Sequence, residues 1–326
     1  MSKLEIEYNT PAPAGAANIQ RTAALALALA TVFWGCGFTW AKAGADAIHR
    51  ITGLPQGSGF GPIFLLGWRF GFGGAIWMIL FPAARRGWSF KSSARAMLLG
   101  ALCAGGLIVQ HMGLDLTDES VSAFLTSLTI LFVPLLVTLI ARRPPRAVLW
   151  VGVALATIGV WLMTGASPSG FHLGEFLGLL CSFCFALYIL AVNAILPKES
   201  SWRMTGGQFI TVSVICFAVS ATIAGRAMRP AIVIRLFSEP AVFVNLVLLA
   251  IFTTVMAFGL LTHFQPRLDP TRAALIYLLE PVIAAIYAAM AVGRTFRPLA
   301  IIGAILILAA NAFVEFVLSR KKSRIK

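Results

Sequence analysis

The sequence predicts an all-α integral membrane protein of ten transmembrane helices, arranged as two inverted five-helix repeats. Three observations predict it. First, 59% of the 326 residues are hydrophobic and only 12% are charged, with a mean hydropathy of +0.88. A soluble domain carries about 25% charged residues. Second, apolar runs recur along the whole chain, each close to the roughly 20 residues that a helix needs to cross the hydrocarbon core. Third, the two halves match at one constant offset. This composition excludes an ordinary soluble enzyme, a disordered chain and a collagen-like one.

The candidate spans cover residues 22–44, 62–81, 95–114, 120–141, 147–164, 173–195, 205–224, 241–263, 271–292 and 298–318. Turn-formers separate most of them, among them Gly53, Pro55, Gly61, Pro82, Pro144, Pro145, Pro168, Pro197, Pro240 and Pro270. The runs are too long for a β-barrel, whose strands are about ten alternating residues. Helices satisfy every main-chain group internally, as lipid requires. Residues 1–21 are polar and rich in Pro and Ala, with Glu5 and Glu7, and read as a tail ahead of a permanent helix rather than a cleaved leader. Residues 319–326 form a basic tail.

The net charge is +14. The basic residues sit in short connections between apolar runs, which points to membrane topology and away from nucleic acid. With a cytoplasmic N-terminus, inside segments hold 18 Lys and Arg and outside segments hold 6. The remaining two, Lys42 and Arg69, fall within apolar runs. The bias places both termini in the cytoplasm and the chain in an inner or plasma membrane. The five cysteines, Cys36, Cys103, Cys181, Cys184 and Cys216, all lie within apolar runs and form no disulfide framework.

Residues 22–164 and 173–318 match at an offset of 151 positions. Asp118 falls on Asp269, Ala123 on Ala274, Arg143 on Arg294 and Arg146 on Arg297. Gly152 and Leu155 fall on Gly303 and Leu306, and Trp34 falls on Phe185. Five helices per copy is an odd number, so the second copy enters the membrane upside down. Inverted repeats are the usual architecture of secondary transporters, with the solute path at their interface.

The chain resembles the drug/metabolite transporter superfamily, in its bacterial ten-helix EamA-type branch. Trp34-Gly35 with Phe38, Arg69-Phe70, Ala123 through Thr126, Val133-Pro134-Leu135, Ala274-Leu275 and Glu280-Pro281-Val282 carry the resemblance. It covers about residues 22–318, so that each half is one EamA-type repeat. The family often has Gly-Glu after the helix bearing the proline; here those positions read Arg142-Arg143 and Gly293-Arg294. The resemblance implies a permease for a small metabolite, commonly an exporter of amino acids or related compounds.

Charges at bilayer depth cost on the order of 2.5–3.5 kcal/mol and therefore face the bundle interior. Glu280, Arg69 and Lys42 are the candidates. Glu280 either binds a solute amine, carries a coupling proton or forms a fixed pair with Arg69. Arg69 either joins that pair or grips a solute anion with its planar fork. Lys42 lies near the end of its apolar run and either snorkels to the interface or lines the path. Its counterpart in the second repeat is Asn193. Tyr277, Glu280 and Tyr287 fall on one helical face, and Trp34, Tyr188 and Gln110 complete the predicted solute-binding set. If all three charges line the path, the balance is +1 and favours zwitterionic or anionic solutes. His111 and His263, near the ends of their runs, read as interfacial.

No metal, bound cofactor or nucleotide is implied. The only acidic cluster, Asp115, Asp118 and Glu119, sits in a connection, and no nucleotide-binding or HExxH motif occurs. A membrane-embedded enzyme is therefore the weakest reading, and a non-transporting scaffold or sensor of the same fold is the other alternative. The expected partners are the lipid bilayer and a small-molecule substrate. Gly174 and Gly178 form a GxxxG, a motif that also serves homodimers.

Overall fold

The computed structural model describes residues 16–117, 119–141, 147–164, 173–293 and 298–323. Among the described residues every long element is helical. The first half comprises α1 (Ala16–Thr52), α2 (Phe60–Leu80), α3 (Phe90–Leu116), α4 (Glu119–Ser127), α5 (Thr129–Ala141) and α6 (Ala147–Thr164). The second comprises α7 (Leu173–Ile195), α8 (Ser201–Ala224), α9 (Pro230–Ser238), α10 (Pro240–Leu248), α11 (Ala257–Phe264), α12 (Pro270–Tyr277), α13 (Leu279–Val292) and α14 (Pro298–Ser323). A π-helical stretch, Leu249–Met256, joins α10 to α11 in one continuous rod.

Seven helical segments among the described residues are long and apolar enough to cross a membrane. Three shorter apolar helices, Leu125–Ile140, Ala147–Gly159 and Ile301–Ala310, coincide with the fourth, fifth and tenth expected spans. The helices at the fourth and ninth expected spans are broken alike. Leu128 and Leu278 each close a tight turn back to the carbonyl three residues earlier, at 3.1 Å. Pro134 and Pro281 follow these breaks. The ring of Pro281 collides with the Tyr277 carbonyl of a straight helix and offers it no N–H, which is why the chain tightens at Leu278.

The two halves pack with exchange symmetry. The extensive contact of α3 with α7 is matched by that of α1 with the α10–α11 rod. The contact of α1 with α13 is matched by that of α7 with α5, while α2 meets α8 and α6 meets α14 directly. Small residues permit the close approaches. A Cβ on Gly178 would lie 2.6 Å from the Leu125 Cβ, and one on Gly174 would lie 2.4 Å from Thr117 Cγ2. The GxxxG of α7 is thus consumed inside the chain, which removes the motif that suggested a homodimer.

Several boundaries differ from expectation. The α1 helix continues to Thr52, eight residues past the predicted end of the first span, and Ala45, Ala47, Ile48 and His49 of the extension are buried. The long connection before α2 shrinks to Gly53–Gly59. Within it Gly57 has φ +83°, and a Cβ there would lie 2.7 Å from Leu116, so this position needs glycine. The short α9 was not anticipated. Asp118, Arg143, Arg146, Arg294 and Arg297, used in the repeat alignment, lie outside the described residues, as do Arg142, residues 1–15 and residues 324–326. Asp269 does open α12: its carboxylate accepts from the Thr271 and Arg272 amides.

Candidate functional site

A cavity lies between the two halves, lined by side chains from both. Its wall repeats the internal symmetry of the chain. Residues 151 positions apart face it together: Trp34 with Phe185, Gly37 with Tyr188, Leu107 with Phe258, Gln110 with Leu261, Thr126 with Tyr277, and Thr129 with Glu280. The offset read from the sequence is therefore also the operation that builds the site. The paired residues differ in chemistry, so the wall is symmetric in position and asymmetric in polarity.

Glu280 stands in the first turn of α13, just after the break at Leu278. Its carboxylate faces the cavity and makes no hydrogen bond or ion pair with any described residue. Arg69, on α2, is buried and lines the same cavity. Its Nε donates to Thr254 Oγ1 at 2.7 Å and its Nη2 to the Thr253 carbonyl at 3.4 Å. Its guanidinium carbon lies 5.1 Å from the Phe70 ring centroid. The fixed Arg69–Glu280 pair, one of the expected alternatives, is thus absent. Arg69 has found neutral partners on the π-helical stretch, where the wider turn presents carbonyl and hydroxyl groups together. Two of its five N–H groups are engaged by these bonds.

Aromatic side chains shape the space between these charges. Trp34 Nε1 donates to the Thr253 carbonyl at 3.0 Å, and its ring meets Phe258 and Tyr277 edge-on at 5.3 and 5.6 Å. The Tyr188 hydroxyl donates to Gln208 Oε1 at 2.9 Å, and the Tyr277 hydroxyl to Gln265 Oε1 at 2.7 Å. Gln110 Nε2 donates to Thr126 Oγ1 at 3.1 Å. Six of the nine predicted residues, Trp34, Arg69, Gln110, Tyr188, Tyr277 and Glu280, therefore share one wall.

The other three do not line it. Lys42 Nζ donates to the Thr117 carbonyl at 3.0 Å. It neither snorkels from a helix end nor faces the cavity, because α1 runs ten residues beyond it. Asn193 Nδ2 donates to the Leu268 carbonyl at 2.8 Å, and its Oδ1 accepts from Gln265 Nε2 at 2.7 Å. The Tyr287 hydroxyl accepts from Trp40 Nε1 at 2.8 Å. Tyr287 shares α13 with Glu280 but lies two turns further along, against Trp40 and beyond the cavity wall. Without Lys42, Arg69 and Glu280 stand one against one on the wall.

Sequence reasoning missed His111 and the π-helical stretch. His111 is buried on the wall because α3 continues to Leu116, so it is not at a helix end. Its Nδ1 donates to the Leu107 carbonyl at 2.9 Å. The Thr253–Thr254 pair in an apolar run was the available signal for the second feature. Among the described residues no His, Cys, Asp and Glu cluster could hold a metal ion. Asp115 of the acidic cluster is engaged by His49 Nε2 at 3.0 Å and the Gly57 amide at 2.6 Å.

The sequence profile of the EamA-like transporter family matches residues 21–165 and again residues 172–316. An uncharacterized transporter of Archaeoglobus fulgidus is 25% identical over 304 residues, covering 92% of this chain and 88% of that protein. The threonine/homoserine exporter RhtA of Escherichia coli is 26% identical over 196 residues, 59% of this chain and 62% of the exporter, so less than two thirds of its length is spanned. One solved crystal structure superposes with a TM-score of 0.69 at 16% identity, covering 93% of this chain and 99% of that one, which shows a shared fold.

Proposed function

The chain belongs to the EamA-like transporter family, and on that premise we propose that it is a secondary transporter exporting a small zwitterionic metabolite, such as an amino acid, across the inner membrane by alternating access. The observation that supports this reading is that Arg69 and Glu280 open onto one aromatic cavity without a direct bond between them. A zwitterion supplies the missing partners, with its carboxylate at Arg69 and its amine at Glu280. Trp34, Tyr188 and Tyr277 enclose its apolar part and Gln110 offers a neutral contact. A burial site this apolar favours a solute whose own charges are matched one for one.

In this reading ten spans form two inverted repeats, residues 22–164 and 173–318, with tails 1–21 and 319–326 in the cytoplasm. The charge bias of the connections supports that orientation. Glu280 is the proposed proton carrier, since export against a gradient needs a coupled ion and no nucleotide site is in view. The likeness to a threonine/homoserine exporter supports an amino-acid substrate.

Counterflow in proteoliposomes tests the proposal. Vesicles loaded with one unlabelled solute are offered a labelled panel of amino acids, organic acids, nucleosides and sugar phosphates. Uptake of amino acids above empty vesicles is expected. Uptake of another class replaces the substrate, and no uptake by folded protein favours a non-transporting role.

A further inference from the structure

Lys42 and Asn193 occupy the same position in the two repeats, and so do Thr117 and Leu268. The side chain of the first residue donates to the carbonyl of the second in both halves, across 75 residues each time, at 3.0 and 2.8 Å. The accepting residues are alike in backbone: Thr117 has φ −130° and ψ 173°, Leu268 φ −119° and ψ 157°. This extended geometry turns each carbonyl out of its helix, where a neighbouring side chain reaches it. In each half the bond thus fastens the repeat's first helix to the chain just beyond its third.

The two bonds lie at opposite ends of the bundle. Gly113 of α3 packs on Gly174 and Gly178 of α7, while Gly106 packs on Phe185, so α3 and α7 run antiparallel. Beyond Asn193, Glu199 reaches Ser92 and Arg95 at the start of α3, whereas Lys42 bonds Thr117 past its end. The cavity lies between. Ala41 and Leu114 end its wall beside Lys42, and Ile189 and Leu261 end it toward Asn193.

We infer that Lys42 and Asn193 are the two gate residues of this cavity, each holding one end shut through a main-chain carbonyl of its own repeat. The inference rests on the transport reading above, and it adds what closes each side. Alternating access then consists of breaking one bond while its repeat-related counterpart holds. The two gates are unequal. Lys42 makes a charge-assisted bond, roughly twice as strong as a neutral one, and His49 fastens Asp115 beside it. Asn193 makes a neutral bond, supported by Gln265. In the proposed orientation the stronger gate faces outside, so the cytoplasmic gate opens first, as an exporter needs in order to load.

Hydrogen exchange of the full-length protein in lipid nanodiscs, read by mass spectrometry, tests this without any solute. Lys42→Met is expected to speed exchange about tenfold in residues 42–59 and 112–117, the population shift that one such bond supplies. Exchange in residues 189–199 and 262–268 is expected to slow, because opening one end closes the other. Asn193→Leu is expected to give the mirror pattern, and Lys42→Arg to behave as wild type. Faster exchange at the mutated end with no slowing at the far end overturns the inference and leaves each bond a local fastening. If Lys42→Met does not fold, Lys42→Gln keeps a shorter donor and must show the same reciprocal pattern at smaller amplitude, or the inference fails. Reciprocal exchange without counterflow of any solute keeps the gates and removes the transport reading. Counterflow without reciprocity removes the gates alone.

Discussion

Arg69 and Glu280 face one cavity, ionise with opposite sign and do not bond to each other. Arg69 is held instead by Thr254 and Thr253 on the π-helical stretch. A buried pair that loses one partner is destabilised by about 3–5 kcal/mol, and removing both restores stability. Here no such recovery is expected. Glu280→Gln should leave the melting temperature in detergent near that of wild type, and Arg69→Leu with Glu280→Gln should be no more stable than Arg69→Leu alone. Recovery in the double variant would reinstate the fixed pair.

Glu280→Gln keeps the shape of the side chain and removes its titration. In proteoliposomes, solute-for-solute counterflow should persist at reduced rate, while uptake driven by a pH gradient should fall to the background of empty vesicles. A mutant still driven by the gradient would show that the proton travels elsewhere.

Thr254 supplies the acceptor for Arg69 Nε at 2.7 Å. Thr254→Val deletes it while conserving volume. A hydrogen bond to a charged group contributes about 1.5–3 kcal/mol, so solute affinity should fall roughly tenfold or more as the guanidinium loses its orientation. Thr254→Ser should retain wild-type affinity. Isothermal titration of the purified protein distinguishes the two.

Gly178 and Gly105 lie in helices packed against each other, yet their substitution by alanine should have opposite consequences. A Cβ at Gly178 meets Leu125 at 2.6 Å, whereas one at Gly105 meets nothing within 4 Å. Gly178→Ala should cost about 1–3 kcal/mol through overpacking. Gly105→Ala should be neutral or stabilise by about 0.4–1 kcal/mol, since it restricts the unfolded chain. Thermal unfolding in one detergent compares them directly.

Glu199, between α7 and α8, accepts from Arg95 at 2.5 Å and Ser92 at 3.2 Å and lies 3.5 Å from Arg203. Arg203 also reaches the Gly87 carbonyl. The bond from Arg95 holds the Glu199 carboxyl below the ordinary carboxylate value, against the opposing effect of burial. A depressed carboxylate contributes stability above its ordinary value and loses it as pH falls through the lowered one. The melting temperature should therefore hold from neutral pH down to about pH 5 and decline below that. Glu199→Gln should start lower and show a shallower acid decline.

The sequence by itself determined the solvent, the helical class and the repeat. Composition and run length admit only a bilayer, and lipid admits only elements that satisfy their own main chain. The offset of 151 was legible because Trp34 and Phe185, or Ala123 and Ala274, occupy equivalent places in two copies of one packing problem. Arg69 and Glu280 were legible because an ionisable group in an apolar run must turn inward. What the tertiary structure decided was where each inward group ends. Periodicity gives a direction around a helix but not the extent of that helix. The longer α1 moved Lys42 from a presumed interface to the Thr117 carbonyl, and the longer α3 moved His111 from a presumed surface to the wall. Packing against Trp40 took Tyr287 out of the wall that Glu280 lines, and the π-helical turns gave Arg69 a neutral anchor in place of a counter-charge. Each of these depends on groups from helices far apart in sequence, whose meeting is set by packing between the repeats rather than by the residues of any one span.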